Sequence, residues 1–240
     1  MIRKKLTYIE GVFCVGKKIS FLLMAFLVVG CVFMVIPAEA GDLVLPDFLV
    51  GKEVAFEDDF NNLDNWIEED DFEFNKWAIT TKGNLQIVDG LLSRKTAGNS
   101  GLKLKDFEIT DGAVAVLVRL TEKPESGAIG ARIHLRNPEM HWCYGAGVNY
   151  STYSYELATW HGKGEAKASI VGPEAPVAQL KEELGWVTVT AVIQGNKVSY
   201  YLNGEIVAEN EDPEFPYEKG GVFLSIANNL EIDKVVVYNL

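Results

Sequence analysis

The stretch that decides the fold is residues 186–210, WVTVTAVIQGNKVSYYLNGEIVAEN, with its continuation GGVFLSIANN (220–229) and LEIDKVVVY (230–238). Three turn signals, Gly195-Asn196, Asn203-Gly204 and Asn228-Asn229, punctuate short β-branched and aromatic runs. Asn-Gly between such runs predicts a two-residue hairpin, because both turn positions need positive φ to match the strand twist. These residues predict antiparallel strands that close a β-sandwich.

Working outward, VAFEDDFNNLDNW (54–66) is expected as an opening strand followed by a loop, with further strands at Trp77–Thr80, Leu85–Val88 and Leu91–Arg94, the last two joined at Asp89-Gly90. Val114, Val116 and Val118 alternate with Ala113, Ala115 and Leu117, which suits a central strand covered on both faces. Ile129–Arg136, Trp142–Tyr150, Tyr153–His161 and Ala166–Val171 follow, and only Val177–Leu184 carries a short helical pattern. Short strands without a long helix predict an all-β, two-sheet antiparallel jelly roll.

The N-terminus is of another kind. Ile19–Ile36 is nearly all apolar, follows Lys17-Lys18 and precedes Pro37-Ala38-Glu39-Ala40. A basic flank, an apolar core and a small-x-small exit predict a signal peptide over residues 1–40, cleaved after Ala40. Two rival readings stay open: a lipid on Cys31, within Val28-Val29-Gly30-Cys31, or an uncleaved anchor of eighteen apolar residues. All three place the domain outside the cytoplasm, secreted, periplasmic or on the cell surface, with membrane contact only through this segment. Residues 41–51 are expected as a linker and 52–240 as one domain.

Removing residues 1–40 takes away five cations and two carboxylates, leaving 17 basic against 32 acidic residues, a net charge of −15. That balance argues against nucleic acid as a partner. Only Cys143 remains, so no internal disulfide forms, and its plainest role is a small buried strand residue.

Several motifs together resemble the concanavalin A-like lectin/glucanase superfamily, and within it the 3-keto-disaccharide hydrolase-like, laminin-G-like domains of secreted bacterial proteins. They are Phe56-Glu57-Asp58-Asp59-Phe60 with Trp66, Val88-Asp89-Gly90-Leu91-Leu92, Ser126-Gly127 leading to Leu135-Arg136, Tyr155-Glu156, Gly185-Trp186, Tyr201-Leu202-Asn203-Gly204 and Ile232-Asp233-Lys234-Val235. The resemblance spans nearly all of residues 52–240. It implies a jelly roll that binds or processes glycans.

Laminarinase-like members of the superfamily carry E-I-D-x-x-E. Here Glu231-Ile232-Asp233 begins that pattern and Val235-Val236 ends it, so the paired carboxyls that retaining hydrolysis needs are not supplied there. A second acidic row, Glu69, Asp71 and Glu73, reads as a solvated edge.

The strongest polar constellation lies between residues 131 and 161. By strand parity Arg132, His134 and Arg136 share one face, opposite Ala131, Ile133 and Leu135. Such a face is either a solvated surface or the floor of a groove. Trp142, Tyr144 and Trp160 follow, with Glu156 sharing the parity of Trp160. Sugar rings stack on aromatic faces, while guanidinium and carboxylate groups hold hydroxyls with paired hydrogen bonds. Arg132, His134, Arg136, Trp142, Tyr144 and Trp160 are therefore the candidate glycan-binding residues, and Glu156 is the candidate acid/base if the domain is a glycoside hydrolase. His134, His141 and His161 lack the spacing of a metal motif. The resemblance implies calcium where the first and last strands meet, with Asp58 or Asp59 and Asp233 as oxygen ligands. Three functions stay open: a glycan-binding module, a glycoside hydrolase of the 3-keto-disaccharide hydrolase-like type, and a laminin-G-like adhesion module.

Overall fold

The computed structural model describes residues 41–69, 83–95, 100–121, 132–137, 142–149, 154–161, 168–171, 185–212, 217–226 and 230–240; for 142–149, 154–161 and 168–171 it describes the backbone. The strands in chain order are β1 (Val54–Asp58), β2 (Trp66–Glu69), β3 (Leu85–Val88), β4 (Leu91–Arg94), β5 (Ser100–Leu104), β6 (Gly112–Leu120), β7 (Arg132–Asn137) and β8 (Trp142–Asn149). They continue as β9 (Ser154–His161), β10 (Ala168–Val171), β11 (Trp186–Gln194), β12 (Lys197–Leu202), β13 (Glu205–Glu211), β14 (Gly221–Ile226) and β15 (Leu230–Asn239). The expected strand Trp77–Thr80 and helical segment Val177–Leu184 lie outside the described residues, as do Asp71 and Glu73.

Two antiparallel sheets face each other. The back sheet has eight strands in the order β13-β12-β11-β6-β15-β4-β3, with β1 also paired to β15. The front sheet has seven, β10-β9-β8-β7-β14-β5-β2. This is the jelly-roll sandwich anticipated from the turns. Asn203 and Gly204 both have positive φ (46° and 79°), as do Asp89 and Gly90 (53° and 78°), the geometry of a primed hairpin turn. Asn228-Asn229 lies outside the described residues; β14 before it is in the front sheet and β15 after it in the back one.

Alternation builds the core. Val114, Val116 and Val118 of β6 and Val187, Val189, Ala191 and Ile193 of β11 meet Leu102, Leu104, Ile133, Leu135, Val222, Leu224 and Ile226 of the front sheet, all buried. On the other side of β6, Ala113 joins a second cluster with Val192, Val236, Tyr238 and Leu49, so this strand is covered on both faces as its apolar run predicts.

Leu49 belongs to residues 41–51, and this corrects their reading as a free linker. Leu43, Leu45 and Leu49 pack on the outer face of the back sheet. The Val44 amide donates to Thr188 Oγ1 (2.9 Å), and Phe48 leans on Tyr201 (5.8 Å between centroids). The segment is a strap. Two further differences concern strands: β2 forms where a loop is expected, and β5 lies in SGLKL, whose glycine masks its alternation.

Candidate functional site

The outer face of the front sheet follows from the pairing register. Residues directly opposite one another in neighbouring strands share a face. One row runs Ile67–Lys103–Phe223–His134–Gly145–Ala158–Ser169. The adjacent row runs Glu69–Gly101–Ser225–Arg132–Gly147–Glu156–Val171. Between these positions Ile133, Leu135, Leu224 and Leu102 point into the core. Arg132 and Glu156 thus stand on either side of Gly147, two strand spacings or about 9.6 Å apart. Trp160, opposite Cys143, falls on the same face two residues beyond Ala158. Along β8, Gly145 and Gly147 stand in these rows between β7 and β9 and carry no side chains.

Tyr144 pairs with Leu135, a core residue, so Tyr144 and its parity mate Trp142 fall in the inward rows and not beside Arg132. Parity also fails for Arg136. Gly221 pairs with Asn137 and Phe223 with His134, so β7 carries one extra residue there, and Arg136 has φ 49°. This bulge takes Arg136 off the Arg132–His134 face. Its guanidinium donates to the carbonyls of Thr110 (2.6 Å), Gly195 (2.8 Å) and Tyr217 (3.0 Å) and to Asp111 Oδ1 (2.7 Å). Gly195 belongs to the β11–β12 turn of the back sheet, so Arg136 ties the two sheets together and is not a ligand-facing group. The side-chain placements of Trp142, Tyr144, Glu156 and Trp160 lie outside the described residues.

Arg132 and His134 are 5% and 0% exposed, which excludes the solvated-surface reading of this strand. His134 meets the Phe223 ring edge-on, 5.3 Å between centroids at 80°. Phe223 in turn lies over Gly101, where an added methyl group would overlap the ring. Gly101→Ala is therefore expected to cost about 2 kcal/mol by overpacking. Thermal unfolding checks this; an unchanged Tm would mean that the ring swings away freely.

The accessible part of the face is at its β2–β5 end. Ile67, Lys103, Asp106, Phe107 and Glu108 line a cleft of about 480 Å³. Ile67 is 42% exposed, and Lys103 is half-buried in the same row as Phe223 and His134. Sequence reading missed Lys103 and Phe223. The alternation Gly101-Leu102-Lys103-Leu104 is the signal that could have found the first of them.

The carboxylates of the closing strand lie on the other sheet. Glu231 accepts from Arg119 Nε (2.6 Å), and the Arg119 guanidinium sits over the Trp186 ring at 4.7 Å. Asp233 is the extra residue of a second bulge, because Ile232 pairs with Val118 and Lys234 with Leu117. Its carboxyl is pushed above the ordinary aspartate range by burial, with neighbouring Asp59 adding and Lys234 and Arg119 opposing. Asp59 and Asp233 are thus neighbours, as the calcium expectation requires. Calcium takes six to eight oxygens, however, and among the described residues no group of three His, Cys, Asp or Glu side chains is placed to hold a metal ion. Asp58 cannot join them: it accepts from the Phe60 amide, Asn65 Nδ2 and Trp66 Nε1.

Comparisons with known proteins agree with this architecture. The model of a family described as the 3-keto-alpha-glucoside-1,2-lyase-like domain matches residues 54–234. No curated protein matches the chain. Among solved structures, the laminarinase of Flavobacterium sp. UMI-01 superposes with a TM-score of 0.57 at 12% identity, over 78% of this chain and 100% of the other. The endo-beta-1,3-glucanase of Pyrococcus furiosus gives 0.57 at 15% identity, over 83% and 98%. The beta-glucanase of Bacillus licheniformis gives 0.55 at 12%, over 77% and 97%. At such identities these likenesses speak for the fold alone.

Proposed function

The chain belongs to the 3-keto-alpha-glucoside-1,2-lyase-like domain family, and on that premise we propose that it is an exported jelly roll that binds a saccharide across the outer face of its front sheet. The observation that carries this is the continuous row Ile67–Lys103–Phe223–His134–Gly145. It runs from an open cleft to Gly145, next to the row that holds Arg132, Gly147 and Glu156. Lys103, Asp106 and Glu108 at the cleft offer donors and acceptors for hydroxyl groups, and Ile67 offers an apolar surface for a ring face. Export rests on the basic, apolar and small-residue pattern of residues 17–40.

A second reading is catalytic, and the family's description favours it. A ketone at C3 acidifies the hydrogen on C2 of a glucoside. Removing that proton lets the C1–O bond break, and the leaving alcohol takes up a proton. One correctly placed carboxylate suffices for such an elimination, whereas retaining hydrolysis needs two. Glu156, across Gly147 from Arg132, is the residue for that role.

Calorimetric titration against a panel of oligosaccharides and 3-keto-glucosides tests both readings. The wild type is expected to bind one class, and Lys103→Ala to weaken binding about tenfold, the loss of one charge-assisted hydrogen bond, with Tm unchanged. Glu156→Gln is expected to keep binding and lose turnover if the domain is an enzyme. No binding and no turnover across the panel would overturn the proposal.

A further inference from the structure

Residues 40–240 form one compact unit, and the strap at its start is held firmly. Leu43, Leu45 and Leu49 are packed against the back sheet, and the Val44 amide is bonded to Thr188. Gly41, two residues before the first of these anchors, lines a cleft of about 400 Å³ together with Asp42, Glu57, Asp233, Lys234 and Tyr238. That wall carries three carboxylates against one ammonium. The ammonium is already committed, since Lys234 Nζ is 2.9 Å from Glu57 Oε1. Asp233 lies beside Asp59, and its carboxyl is held above the ordinary aspartate range mainly by burial, with Asp59 adding to the rise.

The sequence supplies the missing cation at that point. Pro37-Ala38-Glu39-Ala40 is the small-x-small exit of the apolar segment, and the next residue is Gly41. We propose that the cleft is the seat of the mature N-terminus: peptidase cleavage of the Ala40–Gly41 bond places the Gly41 α-ammonium among Asp42, Glu57 and Asp233, where it becomes a structural cation of the processed domain. This rests on the export reading. Water adds across the amide, leaving a carboxylate on Ala40 and an amine on Gly41 that takes up the proton. The full-length chain has no charge at that nitrogen, so processing completes the electrostatics of the fold.

The sign of the pH dependence follows. An amine gaining carboxylate partners has its folded pKa raised. Its stabilisation is then complete below the unfolded value of about 8 and is lost as pH rises through the folded value. The test has two arms. Intact-mass measurement of the exported protein is expected to give Gly41 as the first residue; another first residue would overturn the cleavage site and the export reading at Ala40. Separately, the chain 41–240 is prepared with a free and with an acetylated Gly41 amine. Acetylation is expected to lower Tm by about 3 °C at pH 7. The difference is expected to vanish above pH 10 and to shrink in Asp233→Asn. Equal Tm values for the two forms across pH 6–10 would overturn the docked N-terminus while leaving the saccharide site untouched.

Discussion

Arg136→Met is expected to destabilise the domain by about 3 kcal/mol, the cost of breaking a buried, hydrogen-bonded charge, and to lower Tm by about 6–12 °C. Methionine fills much of the same volume, so the loss measures hydrogen bonding more than packing. Arg136 is 1% exposed, and its guanidinium serves the carbonyls of Thr110, Gly195 and Tyr217. The bond to the Tyr217 carbonyl is buried, so that acceptor loses its donor without gaining water, whereas Thr110 and Gly195 are exposed and water can replace theirs in part. Asp111 is the informative comparison. Its side chain is 45% exposed, so its ion pair with Arg136 is largely screened. Asp111→Asn is therefore expected to cost less than about 1 kcal/mol. Denaturant unfolding of both variants decides the matter. Equal losses would mean that Arg136 acts as a surface ion pair and not as a tie between sheets.

Asp58→Ala is expected to cost a similar amount, about 3 kcal/mol, for a different reason. Asp58 is 8% exposed and accepts from the Phe60 amide (2.7 Å), Asn65 Nδ2 (3.0 Å) and the Trp66 indole (2.9 Å). Phe60 holds φ at 55°, an uncommon region for a bulky residue, and stacks on Trp66 at 5.8 Å. Alanine leaves the indole and the strained amide buried without an acceptor. Near-UV circular dichroism of the Trp66–Phe60 pair reports the loss directly. Asp58→Asn keeps one carbonyl oxygen and is expected to retain about half of the stability. A silent Asp58→Ala would show that the turn is set by Phe60 packing alone.

These two residues also show what sequence reading reaches and where it stops. The Phe-Glu-Asp-Asp-Phe motif supports a family resemblance, and the structure explains it as an aspartate that fixes a turn and a tryptophan. The hairpins at Asp89-Gly90 and Asn203-Gly204 were legible because positive φ is a local requirement that few residues meet. Face assignments were legible only between bulges. In β7 the extra residue before Asn137 removes Arg136 from the face that parity gives it. In β15 the inward set shifts from Leu230 and Ile232 to Val235 and Val237 across Asp233. A bulge is selected by how two sheets fit, and no neighbouring residue announces it. Lys103 and Phe223 were missed for a related reason: their importance comes from the strands paired beside them, which are distant in sequence.

The pairing of β1 with β15 sets Val54 opposite Tyr238, and Leu240 packs in the same cluster as the strap leucines. The polypeptide therefore enters and leaves the sandwich at one place. A domain with adjoining ends tolerates circular permutation, because joining the ends does not stretch it. Both ends lie on the back-sheet side, away from the front-sheet row that carries Lys103.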